Sequence, residues 1–193
     1  MIRRVGVVGP ESSGKTTLVD HLADRLSQWS VPVAVVAEQG RLLAQQLPPA
    51  HPWSYREQWA TSLMHRGAET AAEVVLAARG DRGVVIADGT CATPLVWHVC
   101  AARSRPGYEV GPPEVTEDLL AAVTGTRYDL LLLMAPDLPW VADGIRDDPG
   151  GRETAFEEYR TLLPDAVVVE GPDRLEIAEG LVSGLLRMPS DLP

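Results

Sequence analysis

A short segment near the N-terminus has the residue types and spacing of a phosphate-binding loop. Residues 9–16 match the pattern G-x-x-x-x-G-K-[ST], follow the apolar run 5–8 and lead into a helical pattern. The two glycines of this pattern allow close approach of backbone to phosphate, the lysine reaches the β- and γ-phosphates, and the threonine hydroxyl binds Mg²⁺. The alternative is a strand-to-helix turn that only shares the spacing. We predict ATP and Mg²⁺ as ligands, with the nucleotide bound by Gly9, Glu11, Ser12, Ser13, Gly14, Lys15, Thr16 and Thr17.

Two acidic residues at the ends of apolar runs could serve phosphoryl transfer. Asp88 follows the run 84–87, and Glu38 ends the run 33–37. Ligands of open α/β sheets bind at the carboxyl ends of strands, so we expect Asp88 to bind the metal together with Thr16. Glu38 could accept a proton from a substrate hydroxyl or bind that substrate, and either acid could be the general base. The alternatives are that Asp88 caps the next helix and that Glu38 is an ordinary surface residue.

A segment rich in Gly and Pro, residues 139–152, is predicted to form a short lid. Its arginines, Arg146 and Arg152, flank a turn and could close over ATP, where they would neutralise charge on the transferred phosphoryl group. Alternatively, the arginines pair with the acids of a solvated loop, namely Asp143, Asp147 or Asp148.

The elements that must position these residues alternate between strand and helix. Short apolar runs without period-two alternation, typical of strands buried on both faces, occupy residues 5–8, 33–36, 84–87, 130–133 and 166–169. Helical patterns cover residues 16–27, 54–79, 92–103, 115–124, 152–163 and 174–187. The sequence therefore predicts an α/β fold, a P-loop NTPase three-layer sandwich with a five-stranded parallel sheet and a short lid.

Length, composition and charge limit the classes of function. The 193 residues fit one domain, which we place at 1–187, followed by a flexible tail at 188–193. A net charge of −10 argues against nucleic acid or an anionic membrane surface as a partner, and leaves a small-molecule alcohol or nucleoside. The N-terminus shows no secretory pattern, so we expect a cytoplasmic protein. The oligomeric state stays open.

The cysteines and histidines carry no sign of a metal or disulfide framework. Cys91 and Cys100 lack a C-x-x-C spacing and are interpreted as free thiols. The histidines show no spacing typical of metal ligands and are given no role here; they are His21, His51, His65 and His98.

The motifs and the length of the sequence distinguish between three classes of phosphate-loop protein: GTPases, energy-coupling ATPases and small-molecule kinases. No Asn-Lys-x-Asp guanine reader is present, which disfavours GTP signalling. An energy-coupling ATPase usually needs additional domains, whereas a small-molecule kinase needs only the sheet, a substrate loop and a lid. Two alternatives remain open: a kinase of another alcohol on the same scaffold, and a nucleotide-dependent ATPase switch without phosphotransfer.

Several segments together resemble the NadR family, and in particular its ribosylnicotinamide kinase domain, an AAA-type ATP-binding module. They are Gly-Pro-Glu-Ser-Ser-Gly-Lys-Thr-Thr-Leu at 9–18, Glu-Gln-Gly-Arg at 38–41, Ile-Ala-Asp-Gly-Thr at 86–90, and Pro-Trp-Val-Ala-Asp-Gly-Ile-Arg at 139–146. The resemblance implies an ATP-dependent kinase that converts nicotinamide riboside to nicotinamide mononucleotide. It also implies catalytic roles for Lys15, Glu38, Asp88, Arg146 and Arg152, and substrate contacts for Glu38, Arg41, Trp140 and Asp143.

The sequence departs from this family at two positions near the expected substrate. Gln39 replaces the tyrosine of a Glu-Tyr-x-Arg pattern, and Thr90 replaces the second acid of an Asp-Thr-Asp pattern. Neither change removes a phosphate-binding group. Both could alter recognition of a cationic pyridinium riboside, since an acid and an aromatic ring each attract positive charge.

Overall fold

One parallel sheet forms the centre of the molecule in the computed structural model, which describes residues 1–80, 82–141 and 149–187. Within those ranges its strands are β1 (Ile2–Val8), β2 (Val33–Val36), β3 (Gly83–Asp88), β4 (Leu130–Met134) and β5 (Val167–Val169). They lie in the order β2-β3-β1-β4-β5, and every neighbouring pair is parallel. This confirms the predicted five-stranded parallel sheet.

Helices cover both faces of the sheet. They are α1 (Lys15–Gln28), α2 (Gln39–Ala44), α3 (Tyr55–Arg79), α4 (Ala92–Ser104), α5 (Pro113–Gly125), α6 (Arg152–Leu162) and α7 (Arg174–Leu186), with a 3₁₀ turn at Pro149–Gly151 before α6. Helices α1 and α7 pack on one face of the sheet, and α3, α4 and α6 pack on the other. Helix α5 lies against α4. The arrangement is the predicted three-layer sandwich.

The apolar runs of the inner strands are continuous because both faces of these strands are buried, whereas the edge strands β2 and β5 each expose one valine, Val35 at 47% and Val168 at 38%. Val5 and Val7 of β1 face the α1 side, while Val8 packs against α4 and α6 on the other side. All three side chains are fully inaccessible to solvent. Burial of such side chains contributes roughly 1.5–3 kcal/mol each, which favours valine and leucine at every position rather than at alternate ones.

Helix α2 is the element that the sequence did not predict. It has only six residues and begins directly after Glu38, whose carboxylate accepts the backbone N–H groups of Gly40 and Arg41 and so caps the helix. A helix this short shows no apolar periodicity, and its start signal is a single side chain.

Two sequence predictions fall outside the described residues. They are the middle part of the proposed lid, residues 142–148, which include Asp143 and Arg146, and the tail at 188–193. Within the described ranges no helix combines the length and apolarity needed to cross a lipid bilayer.

Candidate active site

The phosphate loop, residues 9–16, joins the end of β1 to the start of α1. Gly9 has φ +143°, and a Cβ at this position would lie 2.6 Å from the backbone oxygen of Met134. Gly14 has φ +84° and precedes the first residue of α1. Both glycines are therefore required by the backbone path, which leads the chain over the edge of the sheet into a helix N-terminus.

Side chains within the loop fold back on its own backbone. The hydroxyl of Ser13 and the ammonium of Lys15 each donate to the carbonyl of Pro10, at 2.7 Å. A cavity of about 210 Å³ opens beside the loop and is lined by residues 11–17 together with Glu38, Arg41, Asp88, Thr93 and Val141. We call it the phosphate-loop cavity. The structure thus brings the two predicted acids and the phosphate loop to one place.

Thr16 and Asp88, which both line this cavity, are hydrogen-bonded to each other. The Thr16 hydroxyl donates to Oδ2 of Asp88 at 2.6 Å, and Asp88, 5% exposed, ends strand β3, which lies between β2 and β1. Its Oδ1 has no hydrogen-bond partner among the described residues. Asp88 does not cap the next helix, because α4 begins four residues later, at Ala92, and its N-cap residue is Cys91.

The Thr16 hydroxyl and the buried carboxylate of Asp88 are suitable oxygen ligands for Mg²⁺. This ion prefers oxygen ligands and usually takes only one or two from the protein, with phosphates and water supplying the rest. The described residues contain no cluster of three or more His, Cys, Asp or Glu side chains suited to an all-protein metal site. A nucleotide-bound ion held by Thr16 and Asp88 agrees with both observations.

Burial dominates the electrostatics of Asp88. It raises the pKa of this carboxyl above its ordinary value, while the Thr16 hydroxyl and the charge of Lys15 act in the opposite direction. A carboxylate that is costly to keep charged is stabilised by a nearby cation, since opposite charge favours the ionised form.

Glu38 also lines this cavity and is only 8% exposed. Its two carboxylate oxygens accept from the N–H groups of Gly40 and Arg41, each at 2.9 Å. Arg41, one of the predicted substrate residues, also lines the cavity, and its side chain is exposed.

Arg152 is buried beside the phosphate loop instead of lying on a solvated segment. Its guanidinium donates to the carbonyls of Leu138 at 3.0 Å and Ser12 at 3.3 Å, and it lies 5.8 Å from the ring of Trp140. The Ser12 hydroxyl in turn donates to the carbonyl of Val141 at 2.9 Å. The first part of the predicted lid is thus tied to the phosphate loop.

A second buried arginine, which the sequence patterns did not indicate as a site residue, is hydrogen-bonded to the backbone of the phosphate loop. Arg174, at the start of α7, donates to the carbonyl of Ser13 at 3.3 Å, to that of Gly171 at 2.9 Å and to Asp137 at 2.6 Å. The second oxygen of Asp137 accepts the N–H of Gly171 at 2.7 Å. Burial raises the pKa of Asp137, but these hydrogen bonds and the charge of Arg174 outweigh it and lower the pKa below its ordinary value.

The sequence offered one signal for the pair of Asp137 and Arg174, which is that each residue follows an apolar run. Asp137 follows β4 and Arg174 follows β5, so both lie at the same edge of the sheet as Asp88.

A larger cavity, of about 810 Å³, lies at the opposite edge of the sheet. It is lined by residues at or just before the starts of strands, among them Arg3, Pro32 and Arg82. No residue of the phosphate loop borders it. We assign the chemistry to the smaller cavity, because that one combines a phosphate loop with strand-end acids.

Comparisons with known proteins agree with this geometry. A crystal structure of NadR in complex with NAD and AMP-PNP superposes with a TM-score of 0.73 at 17% identity, and one in complex with NR superposes with a TM-score of 0.73 at 18% identity. Both cover 99% of this chain but only 51% of the NadR chain, so this chain spans about half the length of the NadR proteins it matches. No curated protein matches the sequence. The NadR-like fold that the sequence motifs indicated is confirmed.

The family is shown by the sequence as well. The model of the family described as AAA domain matches residues 4–169, which include the phosphate loop, both strand-end acids and Arg152. With its nucleotide-binding architecture, this chain belongs to the AAA domain family of P-loop proteins.

Proposed function

We propose that this protein is an ATP-dependent kinase that phosphorylates the hydroxyl of a nucleoside-like molecule, with nicotinamide riboside as the favoured acceptor and nicotinamide mononucleotide as product. The observation that carries the proposal is the hydrogen bond between Thr16 of the phosphate loop and Asp88 at the end of β3, with Glu38 lining the same cavity. The NadR structures with AMP-PNP and with NR support both the nucleotide and the acceptor. In this proposal residues 1–187 act as one kinase domain in the cytoplasm, where ATP is available.

The nucleotide side of the reaction uses the phosphate loop. Its backbone N–H groups and the N-terminus of α1 bind the phosphates, and Lys15 leaves the Pro10 carbonyl to contact the β- and γ-phosphates. Magnesium held by Thr16 and Asp88 supplies positive charge to the phosphates when it is bound. Arg152 lies close enough to the loop to add a second positive charge.

The acceptor side uses Glu38. The acceptor oxygen attacks the γ-phosphorus, a new P–O bond forms, the bond to the departing ADP breaks, and the hydroxyl proton passes to a carboxylate. We assign that proton to Glu38, because Asp88 is already engaged with Thr16 at the metal position. Arg41 and Trp140 complete the acceptor side in this proposal, as do Asp143 and Arg146 in the segment outside the described residues.

A panel of acceptors tests the proposal. ADP release would be measured with Mg-ATP and nicotinamide riboside, other nucleosides and simple alcohols, and the products identified by mass spectrometry. We expect nicotinamide riboside to stimulate turnover and gain one phosphate, and Lys15→Ala to abolish it, which excludes a contaminating kinase. If ATP binds normally but no acceptor increases ADP release, the kinase proposal is wrong and a nucleotide-dependent switch is favoured.

A second candidate, a kinase of another alcohol, is supported by the two positions that depart from the NadR pattern. The amide of Gln39 is buried and donates to the carbonyl of Ala37 at 2.7 Å. The hydroxyl of Thr90, 1% exposed, accepts the N–H of Ala92 at 3.0 Å. Both side chains are thus bonded to backbone instead of lining the cavity. A product formed from another alcohol in the panel, and none from nicotinamide riboside, would select this candidate.

A further inference from the structure

Helix α3 has a buried polar face directed into the protein. Its members are Gln58, Thr61, Ser62, His65 and Glu69, each at most 7% exposed. Glu69 accepts the hydroxyl of Tyr128 at 2.7 Å, and Thr61 donates to a carbonyl of its own helix. His65 differs, because it is fully buried and neither ring nitrogen has a hydrogen-bond partner among the described residues.

His65 lies directly behind the acceptor side of the phosphate-loop cavity. A Cβ placed on Gly89, which has φ +76°, would be 3.4 Å from Cε1 of His65, 3.4 Å from Cγ of Glu38 and 3.3 Å from the hydroxyl oxygen of Thr93. Glu38 and Thr93 line the cavity. The three side chains therefore border one small volume, which the absence of a side chain at Gly89 leaves open.

The imidazole of His65 is a neutral donor and acceptor in this place. Burial lowers its pKa to about 4, although the negative charge of Glu38 acts in the opposite direction. A neutral ring carries one N–H and one bare nitrogen. Buried polar atoms are nearly always paired, and an unpaired one is costly, so an unpaired histidine beside a reactive carboxylate calls for a state in which it is paired.

We propose that His65 is a positioning residue for Glu38, to whose carboxylate it donates a ring N–H when the acceptor is bound. The inference rests on the proposed function, in which Glu38 serves the acceptor hydroxyl. The backbone cap already fixes one end of the carboxylate, because its two oxygens accept the N–H groups of Gly40 and Arg41. A ring N–H from His65 adds a donor from another side and so directs the carboxylate toward the hydroxyl.

Steady-state kinetics test the inference with His65→Phe, which keeps a ring but removes both nitrogens. We expect kcat/KM for the acceptor to fall about 10- to 100-fold, as for one lost hydrogen bond to a charged group, with KM for ATP unchanged. His65→Asn, which retains a donor, should recover part of the loss. His98→Phe is the matched control: this histidine is 2% exposed and bonds Tyr108 and Thr116 away from the cavity, so its loss should not change the acceptor kinetics of folded protein.

A second measurement does not depend on turnover. The ring ¹⁵N signals of the four histidines are recorded by NMR in the wild-type chain and in Glu38→Gln, without ligand and with Mg²⁺, AMP-PNP and nicotinamide riboside. We expect Glu38→Gln to move the His65 signals and not those of His98, and the ligands to move the His65 signals further in the wild-type chain only.

The outcomes separate the two proposals. An active wild-type enzyme whose acceptor kinetics are unaffected by His65→Phe overturns the role of His65 and leaves the kinase proposal standing. If no acceptor is turned over, the kinase proposal fails, and the response of His65 to Glu38→Gln still decides the positioning contact: unchanged signals refute it.

Discussion

The buried histidine on α3 should make the stability of this protein depend on pH below neutrality. In the unfolded chain His65 takes up a proton below pH 6.5, whereas in the folded chain its pKa is lowered to about 4 by burial, against the opposing charge of Glu38. Between these values the unfolded state binds more protons than the folded state. The free energy of unfolding therefore falls as pH falls from 6.5 to about 4 and loses no more from this group below that.

The two pKa values set the magnitude. From pH 7.5 to pH 5 the linkage relation gives a loss of about 2 kcal/mol from His65 alone, within a total of about 3 kcal/mol for the full difference between the two pKa values. Solvent does not screen the charge of this imidazole in the folded chain, because the residue is 0% exposed. The loss would be a large fraction of a typical domain stability of about 5–15 kcal/mol.

Urea unfolding at pH 7.5 and pH 5, followed by tryptophan fluorescence, measures this effect in the wild-type chain and in His65→Phe. The variant carries every other titrating group, so the difference between the two pH dependences isolates His65. We expect the wild-type chain to lose about 2 kcal/mol more than the variant over this interval. Equal losses in the two chains would show that the imidazole titrates normally, and would refute the reasoning.

Three further changes test the phosphate loop. Arg174→Met removes three hydrogen bonds at the back of the loop and should cost about 2–3 kcal/mol of stability in urea unfolding and weaken ATP binding in calorimetry; unchanged affinity would show that the loop holds its shape without the arginine. Gly9→Ala should lower the melting temperature, because its Cβ would lie 2.6 Å from a backbone carbonyl of β4, whereas Gly67→Ala, at an open helical position, should raise it. Asp88→Asn should abolish the Mg²⁺ dependence of ATP binding while Asp129→Asn, at the other end of the sheet, preserves it; equal behaviour of the two variants would contradict a metal role for Asp88.

The features that sequence predicted well are those encoded locally. The inner strands appear as continuous apolar runs because they are buried on both faces, and the phosphate loop is a contiguous pattern whose glycines are required by the local backbone path. Glu38 and Asp88 could be found because each ends an apolar run, Asp88 as the last residue of β3 and Glu38 two residues after β2, and parallel strands bring their carboxyl ends to one edge.

The features that sequence did not predict depend on contacts between distant segments. Arg174 supports the loop through Ser13, which is 161 residues away in the chain. His65 has an ordinary position in a helical pattern, and its importance lies in what it does not bond, which only the folded packing shows. Arg152 was predicted both as the end of the lid and as the start of the helical pattern 152–163, and what only the folded packing shows is its bond to the carbonyl of Ser12 in the phosphate loop.

The two sides of the phosphate-loop cavity differ in how their polar groups are satisfied, and this difference bears on specificity. On the nucleotide side, Arg152 and Arg174 are buried and bonded to loop carbonyls, so the loop is braced before any ligand binds. On the acceptor side, His65 is unpaired and the residue at position 39 is turned onto backbone. A surface whose polar groups are already hydrogen-bonded costs little to organise when a ligand binds. An unpaired polar group gains a hydrogen bond only when the ligand or a neighbouring side chain matches it. We therefore expect substitutions near Gln39 to change which alcohol is phosphorylated while leaving ATP affinity unchanged, and parallel measurement of both quantities in Gln39→Tyr would disprove this separation if the two changed together.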